Sequence, residues 1–558
     1  MKNHRLLRML ALTLTVIMLI PTFATVANAQ AGDEEYVIQL LVSSSQTHTR
    51  SDETSIGKYI KDKFNIVFEY LPVNDDSEKQ SLMLATGDYP EIIRLEGGDM
   101  VQDYIDADAI LCLDDYIASS TNFKTRYAEQ IPYWRASSKD GKIYTWQRYV
   151  PSDLTNAPEI LDIGTRTDIL EQQAWPNLVS EDDWFNYLQK AMQDNPETNG
   201  QKTVGMVLPL AESWGPSLLT EFCEKGGETN DQGTNDAVVW NQVEQKWVPT
   251  WTLPAVVDSY RFFNRLYKAG ILDPDCFTDT YDQVQEKINS GRALSVWYCT
   301  WMATSANATL VSNGNSNMQY INMPIRSNAQ VKAGLKREIR VETTRPFDSY
   351  AITKNAKDPD RLFAFLDWAL SDEGQILLQS GIEGKHYTIV DGKRTPTEEY
   401  INGVLTNPNY SSDEGFDLAS FFGSCKQGDA QGIAFNLQAA PAYYDEIFLS
   451  DRQKEAYKNL GWSNSLSYWT DTSELAPTGL AATCILDPDS NEGKLDEKFK
   501  AWIAVAATKL VTADDFDATW AELNQEYEAM NVGTIVDKYN EILATNQEHY
   551  NQYVTTTP

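Results

Sequence analysis

The sequence predicts an α/β protein with more than one lobe, and two observations carry that reading. From Tyr36 to Val42 the residues alternate and are rich in β-branched types, a helix follows over Ile56 to Phe64, and Ile66 to Leu71 reads as a second strand. A helix between two strands at this spacing is a parallel β-α-β unit. The second observation is size. The chain has 558 residues, of which about 529 lie beyond the first 29, more than one hydrophobic core accommodates, so at least two domains are expected.

The first 29 residues set the compartment. Lys2, Arg5 and Arg8 precede an apolar run from Met9 to Ile20, and Ala27-Asn28-Ala29 follows. That is the pattern of a secretory signal peptide cleaved after Ala29. The run is too short to span a bilayer, and no later segment reaches eighteen uninterrupted apolar residues. The mature protein is expected to be exported, periplasmic or extracellular and associated with the cell surface. A lipid anchor would require Cys directly after the cleavage site, but the first Cys is Cys112.

The formal charge is -34, or about -37 without the three basic leader residues. A field of that sign disfavours nucleic acid and anionic lipid, and it keeps a protein soluble. The six Cys (112, 223, 276, 299, 425 and 484) lie far apart with no CxxC pair, and no His stands at zinc spacing. Metal binding through thiolates is therefore not expected, while disulfides and free buried thiols both stay open. No cofactor is expected.

Further elements follow in order. A helix through Leu82 to Ala85 ends at Gly87, and Pro90 precedes a strand. Ser180, with Asp183 three residues on, makes a capping-box-like start for a helix to about Met192. Asn195, Glu197, Asn199 and Gly200 then show the oxygen alternation of a calcium loop, but Lys202, Thr203 and Val204 stand where late acidic ligands belong, so a plain turn is the better reading. Asp487 to Asn491 is read as a solvated loop for a similar reason, since Glu492 replaces the required Gly.

Val256 to Leu266 is amphipathic, with Phe262, Phe263 and Leu266 on one side. Asp358 caps a helix with Pro359 at its first position and a buried face of Leu362, Phe363, Phe365, Leu366, Ala369 and Leu370. Ser371 caps the next helix, which carries Asp372 and Glu373 in its first turn. Gly381 and Gly384 bracket a turn containing His386, and Tyr387, Ile389 and Val390 leave as a strand.

Several of these segments also carry a resemblance. Leu82 to Ile93, Asp106 to Ile117, Asp140 to Tyr144, and Gly381-Ile382-Glu383-Gly384-Lys385-His386-Tyr387 resemble, in the same order, elements of the extracellular solute-binding proteins of ABC importers. The likeness is to the maltose-type and larger oligosaccharide-binding members, alginate- and LplA-like, and it implies a strand over Asp140 to Tyr144. Ile288 to Trp301 is similar to the strand and helix start that precede a sugar-stacking Trp in that family. The resemblance implies a two-lobed periplasmic-binding-protein fold of type II with a hinge and a ligand cleft between the lobes.

It also implies boundaries. The first lobe would comprise 30–150 and 346–420, and the second 151–345 and 421–558. Trp146-Gln147-Arg148 falls where the chain first crosses between lobes, and Arg345 and Asp348 where it returns. Ligand contacts are expected from Trp301 and Trp297 on one wall, Trp462 and Trp469 on another, and Ser44, Gln46, Gln147, Arg148, Arg345 and Asp348 as polar partners. A pyranose offers an apolar face to indole and hydroxyls to rigid polar groups. Inward packing is the alternative for Trp146, and a helix face turned to the core is the alternative for the Trp297 and Trp301 pair.

The implied activity is capture of a carbohydrate, expected to be an oligosaccharide, by hinge closure, and delivery to the membrane subunits of an ABC permease by a monomer. Two other functions compete with this one. A secreted glycoside-acting enzyme needs two carboxylates at a set separation, which eighty acidic residues can neither establish nor exclude. No GxSxG, HExxH or P-loop pattern occurs. His386 has no visible nucleophile or metal partner, so it reads as a hydrogen-bonded turn residue. A carbohydrate-binding adhesin would show repeats or an open surface, and no internal repeat is visible.

Overall fold

The computed structural model describes residues 34–42, 46–72, 77–95, 97–150, 161–212, 214–220, 228–230, 236–341, 349–425, 428–429, 432–440, 443–462 and 473–556, and not every side chain within these ranges. The leader over 1–29 lies outside them. The opening unit forms as expected: strand Tyr36–Val42 pairs in parallel with Ile66–Pro72 along its whole length, and helix Ser55–Phe64 connects them. Thr54 caps that helix by accepting from the Gly57 amide, and Asn65 ends it in the left-handed region.

Two sheets organise the chain. The first runs Ile66–Pro72, Tyr36–Val42, Ile92–Leu95, Ser349–Ile352, Trp146–Gln147. The second runs Tyr320–Met323, Leu161–Arg166, Ala293–Cys299, Val204–Val207. Each has its own core. Around the first pack Ile38, Leu40, Phe68, Ile92, Tyr350 and Leu366. Around the second pack Ile163, Trp184, Phe263, Leu294, Phe499 and Leu510. A strand contributed by residues 349–352 lies inside the first sheet, so the first lobe is completed only after the chain has built most of the second.

Two expectations require correction. The first core does not end near residue 420: Phe421, Phe422, Cys425, Phe435, Leu437 and Phe448 all belong to it. Phe422 packs on Phe365 at 5.1 Å and Phe448 on Tyr400 at 5.8 Å, and the chain docks on the second lobe from Ser450 onward, where Ser450 Oγ bonds Gln319 Oε1 at 2.6 Å. Asp140 to Tyr144 is not a strand. Gly141 takes φ +72°, and the strand begins at Trp146.

The long helices of the second lobe are fixed by end-on polar contacts. Asn264 Nδ2 donates to the carbonyls of Leu510, Val511 and Ala513 at 2.8–3.2 Å, satisfying acceptors that the end of helix Asn491–Thr512 leaves open. The last helix, Gly533–Thr556, buries Ile535 and Tyr539 in the second core. Its far end reaches the first lobe, where Tyr550 packs on Tyr133 with ring centroids 4.5 Å apart. Among the described residues no helix is long and apolar enough to cross a membrane, and Cys112, Cys276, Cys425 and Cys484 form no disulfide.

Candidate ligand cleft

Strand register determines which ends of the sheets face the connections. In the first sheet Ser349 is level with Leu95 and Gln147, and Val42 is level with Pro72. In the second, Leu161 is level with Cys299, and Ile163 with Met323. The chain leaves the first sheet at Gln147 and enters the second at Leu161, and it re-enters the first at Ser349. The strand ends at Gln147, Ser349 and Leu161 are therefore the ends through which the two sheets are connected. Open α/β sheets bind ligands at such strand ends.

The first wall carries Gln46, Gln147 and Arg148. Gln46 Oε1 accepts from Ser412 Oγ at 3.3 Å, and the Thr47 amide donates to the same Ser412 oxygen at 3.1 Å. This ties the loop after the first strand to residues 410–414. Gln147 is buried and its carbonyl accepts from Tyr127 Oη at 2.8 Å. Arg148 Nη2 lies 3.4 Å from Ser420 Oγ, and the Ser424 amide donates to the Arg148 carbonyl at 2.8 Å. Ser349, passed over by the sequence reading, stands at the same sheet end with a buried Oγ that finds no partner among the described residues. Its position directly after the second crossover was the available signal.

Two predicted contacts are corrected. Trp146 is 0% exposed; its indole N–H donates to the Phe421 carbonyl at 2.9 Å and its ring stacks on Tyr350 at 6.0 Å. Trp297 is 3% exposed; its N–H donates to the Leu218 carbonyl at 3.0 Å and its ring packs edge-on against Phe263 at 5.0 Å. Both indoles have their polar atom satisfied internally and their faces occupied, so neither offers a surface to a ligand. Each lies on a strand, where every second side chain points into a core.

Trp462 is half-buried and follows helix Asp451–Leu460, which Gly461 ends at φ +77°. It rests on Tyr457 with centroids 5.1 Å apart. Trp301 falls in the first turn of helix Thr300–Ser312, directly after strand Ala293–Cys299, and its side chain is outside the described residues, as are Ser44, Arg345, Asp348 and Trp469. Trp214 is a second half-buried Trp missed as a candidate. It sits on the loop after strand Val204–Val207, which runs parallel to Ala293–Cys299 and ends toward the same side.

The oxygen-rich stretch after Asp194 is a tight hairpin. Glu197 pairs with Lys202 and Thr198 with Gln201, and Asn199 and Gly200 take φ of +51° and +78°, the two-residue turn that Asn-Gly favours. Asn195 Nδ2 is engaged by Gln172 Oε1 at 2.8 Å, and the buried Arg166 guanidinium bonds Thr198 Oγ1 and the Gly291 carbonyl. Arg166 is itself paired with Asp168, so the hairpin's polar groups are engaged within the protein. Among the described residues no group of three His, Cys, Asp or Glu side chains could hold a metal ion.

His386 is 0% exposed. Its Nδ1 accepts from the Ile382 amide at 2.9 Å, which assigns the proton of the neutral ring to Nε2, and Nε2 lies 3.2 Å from Glu414 Oε2. Burial holds the imidazole below the ordinary His value, outweighing the opposite pull of Glu414. Lys385 pairs with the same carboxylate, which that contact helps hold below the ordinary range against burial. The ring has both nitrogens committed to the scaffold.

Comparison with known proteins accords with this architecture. The structure is similar to that of the alginate-binding protein AlgQ2, solved without calcium ion, with a TM-score of 0.63 at 15% identity over 92% of this chain and 99% of that one. It is likewise similar to the ABC-transporter substrate-binding protein FusA of S. pneumoniae in complex with kestose, with a TM-score of 0.59 at 16% identity over 93% and 100% of the two chains. Lipoprotein LipO of Bacillus subtilis is 22% identical over 421 residues, covering 73% of this chain and 78% of LipO. The fold is thus the two-lobed periplasmic-binding-protein type. The model of the bacterial extracellular solute-binding protein family matches residues 49–376, well over half of the sequence, and the chain belongs to that family.

Proposed function

We propose that this protein is the extracytoplasmic substrate-binding component of an ABC transporter, which captures an oligosaccharide between its lobes and delivers it to a membrane permease. The observation that carries the reading is the pair of α/β sheets through which the chain passes twice, with Gln147 and Ser349 level at the connected end of the first. Binding, not bond cleavage, is the role this supports. A carbohydrate that contacts both walls favours the closed arrangement and shifts the open–closed equilibrium by its differential affinity for the two.

In this reading the lobes comprise residues 34–150 with 349–448, and 161–341 with 451–556. Trp301, Trp462 and Trp469 supply stacking surfaces, joined by Trp214. Gln46, Gln147, Arg148 and Ser349 supply polar contacts from the first wall, and Ser44, Arg345 and Asp348 from the loops beside it. The protein acts as an exported monomer whose leader is removed after Ala29. Thermal-shift screening of residues 30–558 against neutral and uronic oligosaccharides tests the proposal. Stabilisation that saturates with one class supports it, whereas hydrolysis of any of them would turn the assignment to an enzyme.

A further inference from the structure

A second pocket lies away from the residues assigned to the carbohydrate. It encloses about 220 Å³ at the outer edge of the second sheet, between the start of helix Glu181–Asp194, one face of helix Pro254–Lys268 from Ala255 to Arg265, and Ser327 to Ala329. The strand Tyr320–Met323 that leads to Ser327 is the edge strand. Its end is level with Ile163, so Ser327 follows the end of the sheet at which strand Leu161–Arg166 begins.

Glu181 is the unusual group. It is 5% exposed. Its Oε2 accepts from the Asn328 amide at 2.9 Å, while Oε1 is buried and accepts no hydrogen bond among the described residues. A buried carboxylate with an unfilled oxygen costs free energy that a structural residue ordinarily avoids. Desolvation accordingly pushes its carboxyl up to about 7, with nearby Asp258 adding to the rise and Arg265 opposing it.

The charges around the pocket indicate what would supply the missing donor. Arg265 Nη1 bonds Asp182 Oδ1 at 2.8 Å and its guanidinium lies 4.6 Å from the Phe185 ring. Arg261 Nη2 bonds Asp517 Oδ1 at 3.0 Å and its guanidinium lies 4.4 Å from the Phe516 ring. Both cations are thus balanced and held by partners outside the pocket. Glu181 and the exposed Asp258 are left as surplus negative charge, and Ala255 and Phe262 provide an apolar wall.

We propose that this pocket binds an organic cation, a guanidinium or primary ammonium on a short apolar stem, whose N–H donors complete the coordination of Glu181 while Asp258 adds a second charge. Such a head group matches a carboxylate in both charge and geometry. It can arrive as a free small molecule or as the Arg or Lys side chain of another protein, since the exposed Asp258 opens the pocket to solvent.

The test is calorimetric titration of residues 30–558 with n-propylguanidinium chloride at constant ionic strength, beside a blocked Gly-Arg-Gly peptide and inorganic phosphate. Saturable binding of a cationic probe is expected, weakened at least tenfold in Glu181→Gln and strengthened between pH 6 and pH 8 in the wild type only. Glu181→Gln keeps an acceptor for the Asn328 amide, so folding is retained. Binding of the propyl compound alone identifies a free small cation, and binding of the peptide alone a protein side chain. The proposal is overturned if neither binds, if phosphate binds in their place, or if Glu181→Gln binds them as tightly as the wild type. Oligosaccharide binding is unaffected by Glu181→Gln in every case, which separates this result from the carbohydrate assignment.

Discussion

His386 and Glu181 are both titratable groups buried in one fold, and they differ in how completely their valences are filled. His386 has a donor on one nitrogen and an acceptor on the other, each from its own lobe. Glu181 has one oxygen satisfied and one bare. The contrast teaches that burial alone does not distinguish scaffold from site. A filled hydrogen-bond inventory marks a residue that holds the protein together, and an unfilled one marks a place prepared for something else.

The largest expected effect attacks the scaffold side of that contrast. Gly381 sits at φ +87°, and a Cβ there would lie 2.2 Å from His386 Nδ1. Gly381→Ala combines backbone strain with displacement of the ring, and a loss of about 2–5 kcal/mol in urea unfolding is expected. A loss below about 1 kcal/mol would show that the turn is not rigidly specified. Trp146→Ala should cost about 3–5 kcal/mol by the same measurement, with carbohydrate affinity of the folded fraction unchanged. Weakened affinity at full folding would return Trp146 to the site.

The pH dependence of stability sharpens the comparison, because the two groups act with opposite sign. His386 has a folded pKa below its unfolded value, so the unfolded chain binds more protons as pH falls below about 6.5, and that share of stability is lost toward acid. Glu181 has a folded pKa raised from 4.5 to about 7, so its folded state holds the extra proton and stability declines as pH rises through that interval. Glu181→Gln should therefore be more stable than wild type at pH 8, by at most about 3–4 kcal/mol, and equal to it at pH 4. Denaturant midpoints across that range decide; no gain at pH 8 would mean that the carboxylate is already satisfied. The smallest effect is expected from Ser180→Ala, which removes the cap on the Asp183 amide and should lower stability by about 1 kcal/mol.

Much of this was legible in the sequence because it is local. Ser180, Asp358 and Ser371 each sit where helix-start chemistry requires, and all three accept the expected amide hydrogen bond. The buried face of Pro359–Ala369 follows from its spacing alone. What was not legible depends on distant segments. Trp146 looks like a ligand residue until Phe421 arrives 275 positions later to accept its proton. The boundary near residue 420 fails for the same reason, since Phe435 and Phe448 are apolar in either lobe and only tertiary packing chooses between them. The bare oxygen of Glu181 had no signature in the sequence, because Asn328, Asp258 and Arg265 lie far from it along the chain.

The most direct test of the functional account is isothermal titration of residues 30–558 with oligosaccharides, repeated with Trp462→Ala, with the radius of gyration followed by small-angle scattering. The account predicts saturable binding of one carbohydrate per protein and a more compact particle on saturation. It also predicts at least about a fivefold loss of affinity in Trp462→Ala, the order expected for one stacked ring. Absence of binding to any carbohydrate, or binding with no change in compactness and no effect of Trp462→Ala, would contradict it.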